Sequence, residues 1–165
     1  MQKSNLMFRL YLQKQMRLSP QGFTLLGVDY GTKFLGLSIT DTKLKKAYML
    51  ETIETAGDAR TFNNPIVIAK LKKHIQKENV KGLVIGATNF KRFFDAEINF
   101  MINKVDSNIP FTTVDESFTT FASKQILEEI AFNYNENLNL KQHKDLKDGI
   151  SAMLILQIFL DYYNK

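Results

Sequence analysis

Apolar runs of strand length open the body of the chain, and short polar segments separate them. Residues 23–30 and 34–40 are two such runs, and the glycine-containing link at 31–33 predicts a hairpin between them. Residues 47–52 form a third apolar run after the polar segment 41–46. The pattern therefore predicts that the fold begins with a meander of three antiparallel strands.

Helical and strand-like segments alternate in the second half of the chain. We expect a helix to begin at Pro65, because proline suits the first helical turn, and lysines follow on its polar side. The further predicted elements are a buried parallel strand at 82–87, a helix at 96–105, a strand at 110–115, a helix at 119–130, a flexible polar loop at 133–144 and an apolar helix at 147–163. The order β-β-β-α-β-α-β-α predicts an α/β fold, with a five-stranded mixed sheet that carries helices on both faces.

The N-terminal residues 1–22 differ from the rest of the chain in charge. They carry four basic side chains and no acidic one, whereas the other 18 basic and 17 acidic side chains nearly cancel. We expect a flexible basic extension followed by a single domain over residues 23–165. An organellar targeting segment and a basic arm that contacts nucleic acid or a membrane are alternatives for the extension. No apolar stretch is long enough to cross a membrane. The extension leaves the compartment open, and a bacterial-type cytoplasmic protein is the default expectation.

Composition restricts the metal chemistry that the chain can support. There is no cysteine, which excludes disulfides, thiolate catalysis and thiolate metal sites. The only histidines are His74 and His143, and we expect His74 to be exposed on the lysine-rich helix. Any metal would be held by carboxylates, and carboxylate ligands favour Mg²⁺ or Mn²⁺.

Acidic residues border or interrupt three of the apolar elements. Asp29 lies inside the first strand, where an uncompensated charge is costly. The last predicted strand ends on Asp115 and Glu116, and Asp148, one turn after Asp145, opens the C-terminal helix. If the first and last strands lie near each other, these acids converge and repel unless divalent cations neutralise them. Two such ions could activate water and stabilise the leaving oxygen of a phosphodiester.

Each of these polar residues also has a purely structural explanation. Asp145 and Asp148 could cap a helix, since acids are favourable at helix N-termini. The acids at the end of the last strand could be ordinary strand-end residues. Asp29 could be a turn residue that hydrogen-bonds to the hairpin link. Lys33, four residues after Asp29, could contact a phosphate or stay solvated.

Four segments of the chain together resemble one known family. They are LGVDYGTKFLGLSITD at 26–41, GLVIGA at 82–87, VDESFTTFAS at 114–123 and DGISAMLILQIFLDYY at 148–163. In this order they resemble the opening hairpin, the middle strand, the Asp-Glu-Arg-x-Thr-Thr segment and the final helix of the YqgF family. Its members are pre-16S ribosomal RNA nucleases and are also called Holliday-junction-resolvase-like proteins.

The resemblance implies a ribonuclease H-like fold and a metal-dependent nuclease that acts in 5′-end maturation of pre-16S ribosomal RNA. Transferred by motif, Asp29, Glu116 and Asp148 would be the catalytic, metal-binding acids, and Lys33 would bind substrate phosphate. The chain departs from the family pattern in several places, and at two of them Phe34 and Ser117 stand where the family usually has arginine. Arginine offers a bidentate fork to phosphate that neither residue replaces.

Several functional hypotheses follow. The first is an Mg²⁺- or Mn²⁺-dependent nuclease that acts on structured RNA, with branched DNA as an alternative substrate. The second is a catalytically weakened module that binds RNA or ribosome-assembly partners through the same fold, and the two missing arginines motivate it. The third is a small-molecule phosphotransferase, because the Asp-x-Gly-Thr sequence at 29–32 also resembles the phosphate loop of actin-like and sugar-kinase ATPases.

Overall fold

The computed structural model describes residues 5–31, 33–55, 64–87, 91–115, 125–126 and 140–165. Its helices are α1 (Asn5–Leu18), α2 (Pro65–Lys77), α3 (Lys91–Asp106) and α4 (Leu140–Tyr163). Its strands are β1 (Thr24–Tyr30), β2 (Phe34–Thr40), β3 (Ala47–Glu54), β4 (Val80–Ala87) and β5 (Phe111–Asp115). No helix within these ranges is both long and apolar enough to cross a membrane.

The strands form one five-stranded sheet in the order β3-β2-β1-β4-β5. β1 pairs antiparallel with β2, and β2 antiparallel with β3. β4 pairs parallel with both β1 and β5. The predicted mixed sheet is confirmed. The topology places the ends of β1, β3, β4 and β5 and the start of β2 at one edge of the sheet, called here the upper edge.

Side chains alternate between two cores on opposite faces of the sheet, as strand geometry requires. Leu26 and Val28 of β1 belong to the core shared with α2 and α3, whereas Leu25 belongs to the core shared with α1 and α4. Helices therefore cover both faces, as the sequence predicts. The face under α4 also receives every second residue of β1, including Asp29.

Helix α1 occupies most of the segment that we expected to be a flexible extension. Phe8 and Leu12 are fully buried, and the Phe8 ring meets the Phe159 ring of α4 edge-on with centroids 5.6 Å apart. A Cβ on Gly82 would lie 2.6 Å from the Phe8 ring, so this glycine makes room for the ring. The apolar side of α1 packs against the core that the sheet shares with α4, and this contact fixes the helix in place.

Helix α4 begins seven residues earlier than the apolar pattern predicts, at Leu140 rather than residue 147. Its first two turns are polar, but leucine, lysine and glutamine are good helix formers and need no buried face. Residues 140–144 of the predicted flexible loop are therefore helical. The rest of that loop, and the predicted helix at 119–130 apart from the helical pair 125–126, lie outside the described residues.

Candidate metal and nucleic-acid site

Asp29 lies next to the last residue of β1, on the sheet face that α4 covers. Its backbone pairs with Gly36 of β2, and it is half-buried. Gly27, two residues earlier on the same side of the strand, faces the Ala152 carbonyl and the Leu156 side chain of α4. The carboxylate of Asp29 is therefore directed to the α4 face near the upper edge.

Asp148 of α4 lies directly over the β1–β2 hairpin. A Cβ on Gly36 would collide with the carbonyl oxygen of Asp148, and a Cβ on Gly31 would lie 3.6 Å from its Oδ2 atom. Because Gly36 is the pairing partner of Asp29, the two acids are neighbours on one face of the sheet. The interpretation of Asp148 as a helix cap is wrong, since α4 begins eight residues before it.

Small residues on three elements allow α4 to approach the sheet so closely. The buried Ser38 hydroxyl of β2 donates a 2.8 Å hydrogen bond to the Ala152 carbonyl. A Cβ on Gly27 would lie 2.9 Å from the Cβ of Leu156, and one on Gly149 would lie 2.5 Å from the sulfur of Met49. The sequence carried this signal as small residues at Gly27, Gly36 and Ser38 of the hairpin strands, but sequence reasoning missed it.

Lys33 and Phe34 follow the hairpin link with opposite exposures. The side chain of Lys33 is exposed, and its carbonyl accepts a 2.8 Å hydrogen bond from the Thr55 backbone N–H. Phe34 is only 8% exposed, and its carbonyl accepts a 2.9 Å hydrogen bond from the Gly31 N–H. The hairpin thus presents one cation to solvent, while the position where the family usually has arginine is an apolar contact.

The third predicted acid, Glu116, lies outside the described residues, as does Ser117. Asp115 ends β5 beside Ala87 of β4, and β4 separates β5 from β1. Asp115 is therefore about 10 Å from Asp29, across two strand spacings. The first and last strands lie near each other, as expected, but they are not adjacent. Within the described ranges, no group of three or more histidines, aspartates or glutamates could hold a metal ion.

A cavity of about 340 Å³ lies beyond the acids, between the upper ends of β4 and β5 and the helices α1 and α4. Its wall is mainly apolar and includes a few polar groups. Its described lining residues are Asn5, Ala87, Thr113, Val114, Asp115, Ile158, Phe159 and Tyr162. The upper edge therefore combines half-buried acids with an adjoining concave surface.

A second polar cluster joins β3 to α2, away from the acids. The Glu51 carboxylate contacts the Lys70 ammonium and lies 2.7 Å from Nε2 of His74. Burial acts to raise the pKa of Glu51, but hydrogen bonds and charge from Lys70 and His74 outweigh it and lower the pKa below 4.5. The expectation that His74 is exposed is wrong, since its side chain is only 13% exposed. The four-residue spacing of Lys70 and His74, which puts both on one side of a helix, was the available signal.

Comparison with known proteins identifies the family to which this fold and these paired acids belong. A family model described as RuvX, Holliday junction resolvase, matches residues 23–162, and the chain belongs to this family. A relative from Endomicrobium trichonymphae, which carries the name pre-16S rRNA nuclease, is 30% identical over 145 residues, covering 83% of this chain and 94% of the relative. A relative of the same name from Dictyoglomus turgidum is 31% identical over 143 residues, covering 83% and 93%.

A solved structure agrees with the fold that the sheet order defines. The fowlpox virus resolvase in complex with Holliday junction DNA matches with a TM-score of 0.53 and 12% identity, over 87% of this chain and 100% of the viral chain. The predicted ribonuclease H-like fold is confirmed. The resemblance to the pre-16S rRNA nucleases is confirmed as well.

Proposed function

We propose that this protein is a nuclease that hydrolyses phosphodiester bonds of pre-16S ribosomal RNA with the help of Mg²⁺ or Mn²⁺. The observation that carries the proposal is the placement of Asp29 and Asp148 side by side on one face of the sheet, at the upper edge. Two acids on neighbouring elements at one edge offer carboxylate oxygens to the same divalent cation. The names of the relatives supply the substrate class.

The residues at the upper edge fit a divalent ion by their chemistry. Carboxylate oxygens are the ligands that Mg²⁺ and Mn²⁺ prefer, and Asp29 and Asp148 supply them from two different elements. Glu116 is the third ligand that we propose. When bound, such ions make water a stronger nucleophile and stabilise charge on the oxygens of the scissile phosphate.

The other residues of the hairpin would bind and orient the RNA. The exposed ammonium of Lys33 would contact a phosphate beside the cleaved bond, since a lysine acts on phosphate as a point charge. Phe34, buried where an arginine would reach out, would shield the acids from water on that side. Binding would therefore depend less on the hairpin than in a relative with arginine at this position.

Cleavage by purified variants tests the proposal. Asp29→Asn and Asp148→Asn should each lower the rate of 5′-end cleavage of a pre-16S RNA fragment by more than the ~10–100-fold that is typical for loss of an outer-shell metal partner. Asp161→Asn, on the exposed side of the same helix, is the matched control and should cleave like wild type. Equal rates for all three variants, with all of them folded, would exclude this site.

A second candidate function is RNA binding without cleavage, on the same fold. The burial of Phe34 favours it, because the chain lacks at this position the phosphate-binding fork of its relatives. Wild-type protein that binds the RNA fragment but leaves it intact in saturating Mg²⁺ and in Mn²⁺ would support this candidate over the nuclease.

The description of the family model favours branched DNA as a competing substrate. The same assay therefore includes a four-way DNA junction at equal concentration. Faster cleavage of the junction than of the pre-16S fragment would transfer the proposed activity to DNA while leaving the roles of Asp29 and Asp148 unchanged.

A further inference from the structure

Helix α2 presents a row of lysines on the sheet face opposite to α4. The helix packs on the sheet through the buried Val67 and Leu71. Lys72, Lys73 and Lys77 lie on its outer side and are exposed. These three residues, called here the α2 lysine surface, occupy the half of the helix that is farther from the upper edge.

Acidic side chains do little to neutralise the α2 lysine surface. The helix itself contains no acidic residue. Glu51 is engaged by Lys70 and His74, and Glu78 lies 3.0 Å from the Lys77 ammonium. In the part of the chain that the structure describes, neither Lys72 nor Lys73 has a carboxylate within 4.0 Å. Lys72 and Lys73 therefore carry positive charge that no described carboxylate offsets.

The neighbouring helix α3 also exposes a lysine. It packs beside α2, and the exposed Lys104 ammonium lies 4.4 Å from the centre of the Phe100 ring. Phe100 is 50% exposed. Exposed cations and aromatic rings are groups that proteins use to bind nucleic-acid strands without sequence preference.

Helix-end electrostatics do not account for the whole cluster. A cation in the last turn of a helix interacts favourably with the helix dipole, which explains Lys77. The effect falls off within one turn, so it leaves Lys72 and Lys73 unexplained. The rest of the chain after residue 22 is nearly neutral in formal charge, so this concentration of lysines is a local feature of α2.

We propose that the α2 lysine surface binds the phosphate backbone of the RNA that is cleaved at the upper edge, an inference that rests on the proposed function. β3 ends at the upper edge, and Asn64, the N-cap of α2, opens the helix ten residues later. From there the 13-residue helix runs about 20 Å along the protein. That length corresponds to about six nucleotides of a stacked strand, at the ~3.4 Å rise of one strand in a duplex.

This contact gives the protein affinity that the hairpin lacks. Phosphate contacts contribute most of nucleic-acid affinity and carry no sequence information, so binding along α2 is independent of base sequence. It also makes the protein measure length, because only an RNA that extends past the upper edge reaches Lys72, Lys73 and Lys77.

Salt-dependent binding of two labelled RNAs tests the inference. One is a pre-16S fragment that extends beyond the cleavage site on both sides, and the other is truncated to the nucleotides next to that site. The variant Lys72→Gln/Lys73→Gln/Lys77→Gln is compared with Lys43→Gln/Lys45→Gln/Lys46→Gln, which removes three exposed lysines from the β2–β3 turn. Both variants change the net charge equally, and glutamine preserves helix propensity in α2. Binding is measured by fluorescence anisotropy in EDTA, so that cleavage does not enter.

The α2 variant should bind the long RNA at least about tenfold more weakly near 0.1 M salt, and its slope of log K against log salt should fall by about 2. The truncated RNA should bind both variants and wild type alike. Equal effects of the two triple variants would show that net charge alone matters and would overturn the inference. Unchanged binding of the long RNA by the α2 variant would overturn it too, and would point to an acidic protein surface as the partner of these lysines.

Cleavage of the truncated RNA in Mg²⁺ separates this inference from the proposed function. The inference alone is contradicted if wild type cleaves the truncated RNA and the α2 variant keeps full affinity for the long RNA. The proposed nuclease activity alone is contradicted if wild type cleaves neither RNA but shows the expected α2 salt dependence. Circular dichroism checks that the variants are folded, and Lys72→Gln/Lys73→Gln is the milder variant if the triple one is not.

Discussion

The backbone of Asp148 lies so close to Gly36 that any side chain at position 36 would displace it. The Asp148 carbonyl lies where the Cβ of any larger residue at position 36 would be. The same approach brings the backbone of Asp148 onto the sheet face that carries Asp29, the pairing partner of Gly36. A backbone contact therefore sets the distance between two acids, and this makes the site sensitive to substitutions that carry no charge.

Gly36→Ala should lower the free energy of unfolding by about 1–3 kcal/mol, the usual cost of forcing extra volume into a packed region. It should also reduce nuclease activity, because α4 must shift away from the hairpin and take Asp148 with it. Urea denaturation at constant m-value measures the first effect. Ala69→Ser, at an exposed position of α2, is the control and should cost no more than about 0.7 kcal/mol of helix propensity while leaving activity unchanged. A Gly36→Ala protein as stable as wild type would contradict the close contact.

Glu51 gives the fold a dependence on acid pH. Its pKa is lowered in the folded state by Lys70 and His74, although burial opposes them, so the folded protein binds fewer protons here than the unfolded chain. The resulting stabilisation is present above pH 4.5 and is lost as the pH falls through the folded-state pKa. Glu51→Gln should cost about 0.5–1 kcal/mol at pH 7, and the difference from wild type should shrink below pH 4.

Denaturation midpoints of wild type and Glu51→Gln across this pH range check the prediction. Glu54→Gln, three residues further along β3 at an exposed position, is the control. A constant difference between wild type and Glu51→Gln from neutral to acid pH would mean that the carboxylate charge plays no part.

At the scale of elements, α1 is the clearest departure from the sequence prediction. Phe8→Ala should lower the free energy of unfolding by about 3–5 kcal/mol, because the ring is fully buried against Phe159 and above Gly82. Leu10→Ala, at a half-exposed position of the same helix, should cost far less. Chemical denaturation of the two variants decides the matter, and equal costs would mean that α1 does not pack on the core as described.

The success of sequence prediction varied between elements for physical reasons. β2 has the predicted bounds, Phe34–Thr40, because polar and glycine residues mark both of its ends. The start of α4 was missed because its first turns are polar and show no apolar period. For the same reason, the sequence did not show that Asp148 lies inside the helix rather than at its start. His74 was misjudged because its partner, Glu51, is distant in sequence and only the fold joins them. Asp29 was identified correctly as a strand residue because an acid stands out in an apolar run.

At the scale of the whole molecule, the sheet order explains why the candidate site lies where it does. The parallel strands β1, β4 and β5 end at the upper edge, and the β1–β2 hairpin turns at the same edge. Acids on β1 and α4 therefore face one region, and α2 leads away from that edge on the opposite face of the sheet. The proposed metal binding and the proposed strand binding thus use different surfaces of the molecule.

The most direct test of the central claim is a crystal structure in Mn²⁺, with the ion located by its anomalous scattering. We expect an Mn²⁺ ion coordinated by the carboxylates of both Asp29 and Asp148, with Glu116 as a further ligand. The Asp29→Asn protein in the same crystals should show weaker or no anomalous density at this position. Saturating Mn²⁺ with no anomalous peak between Asp29 and Asp148 in the wild-type protein would contradict the account.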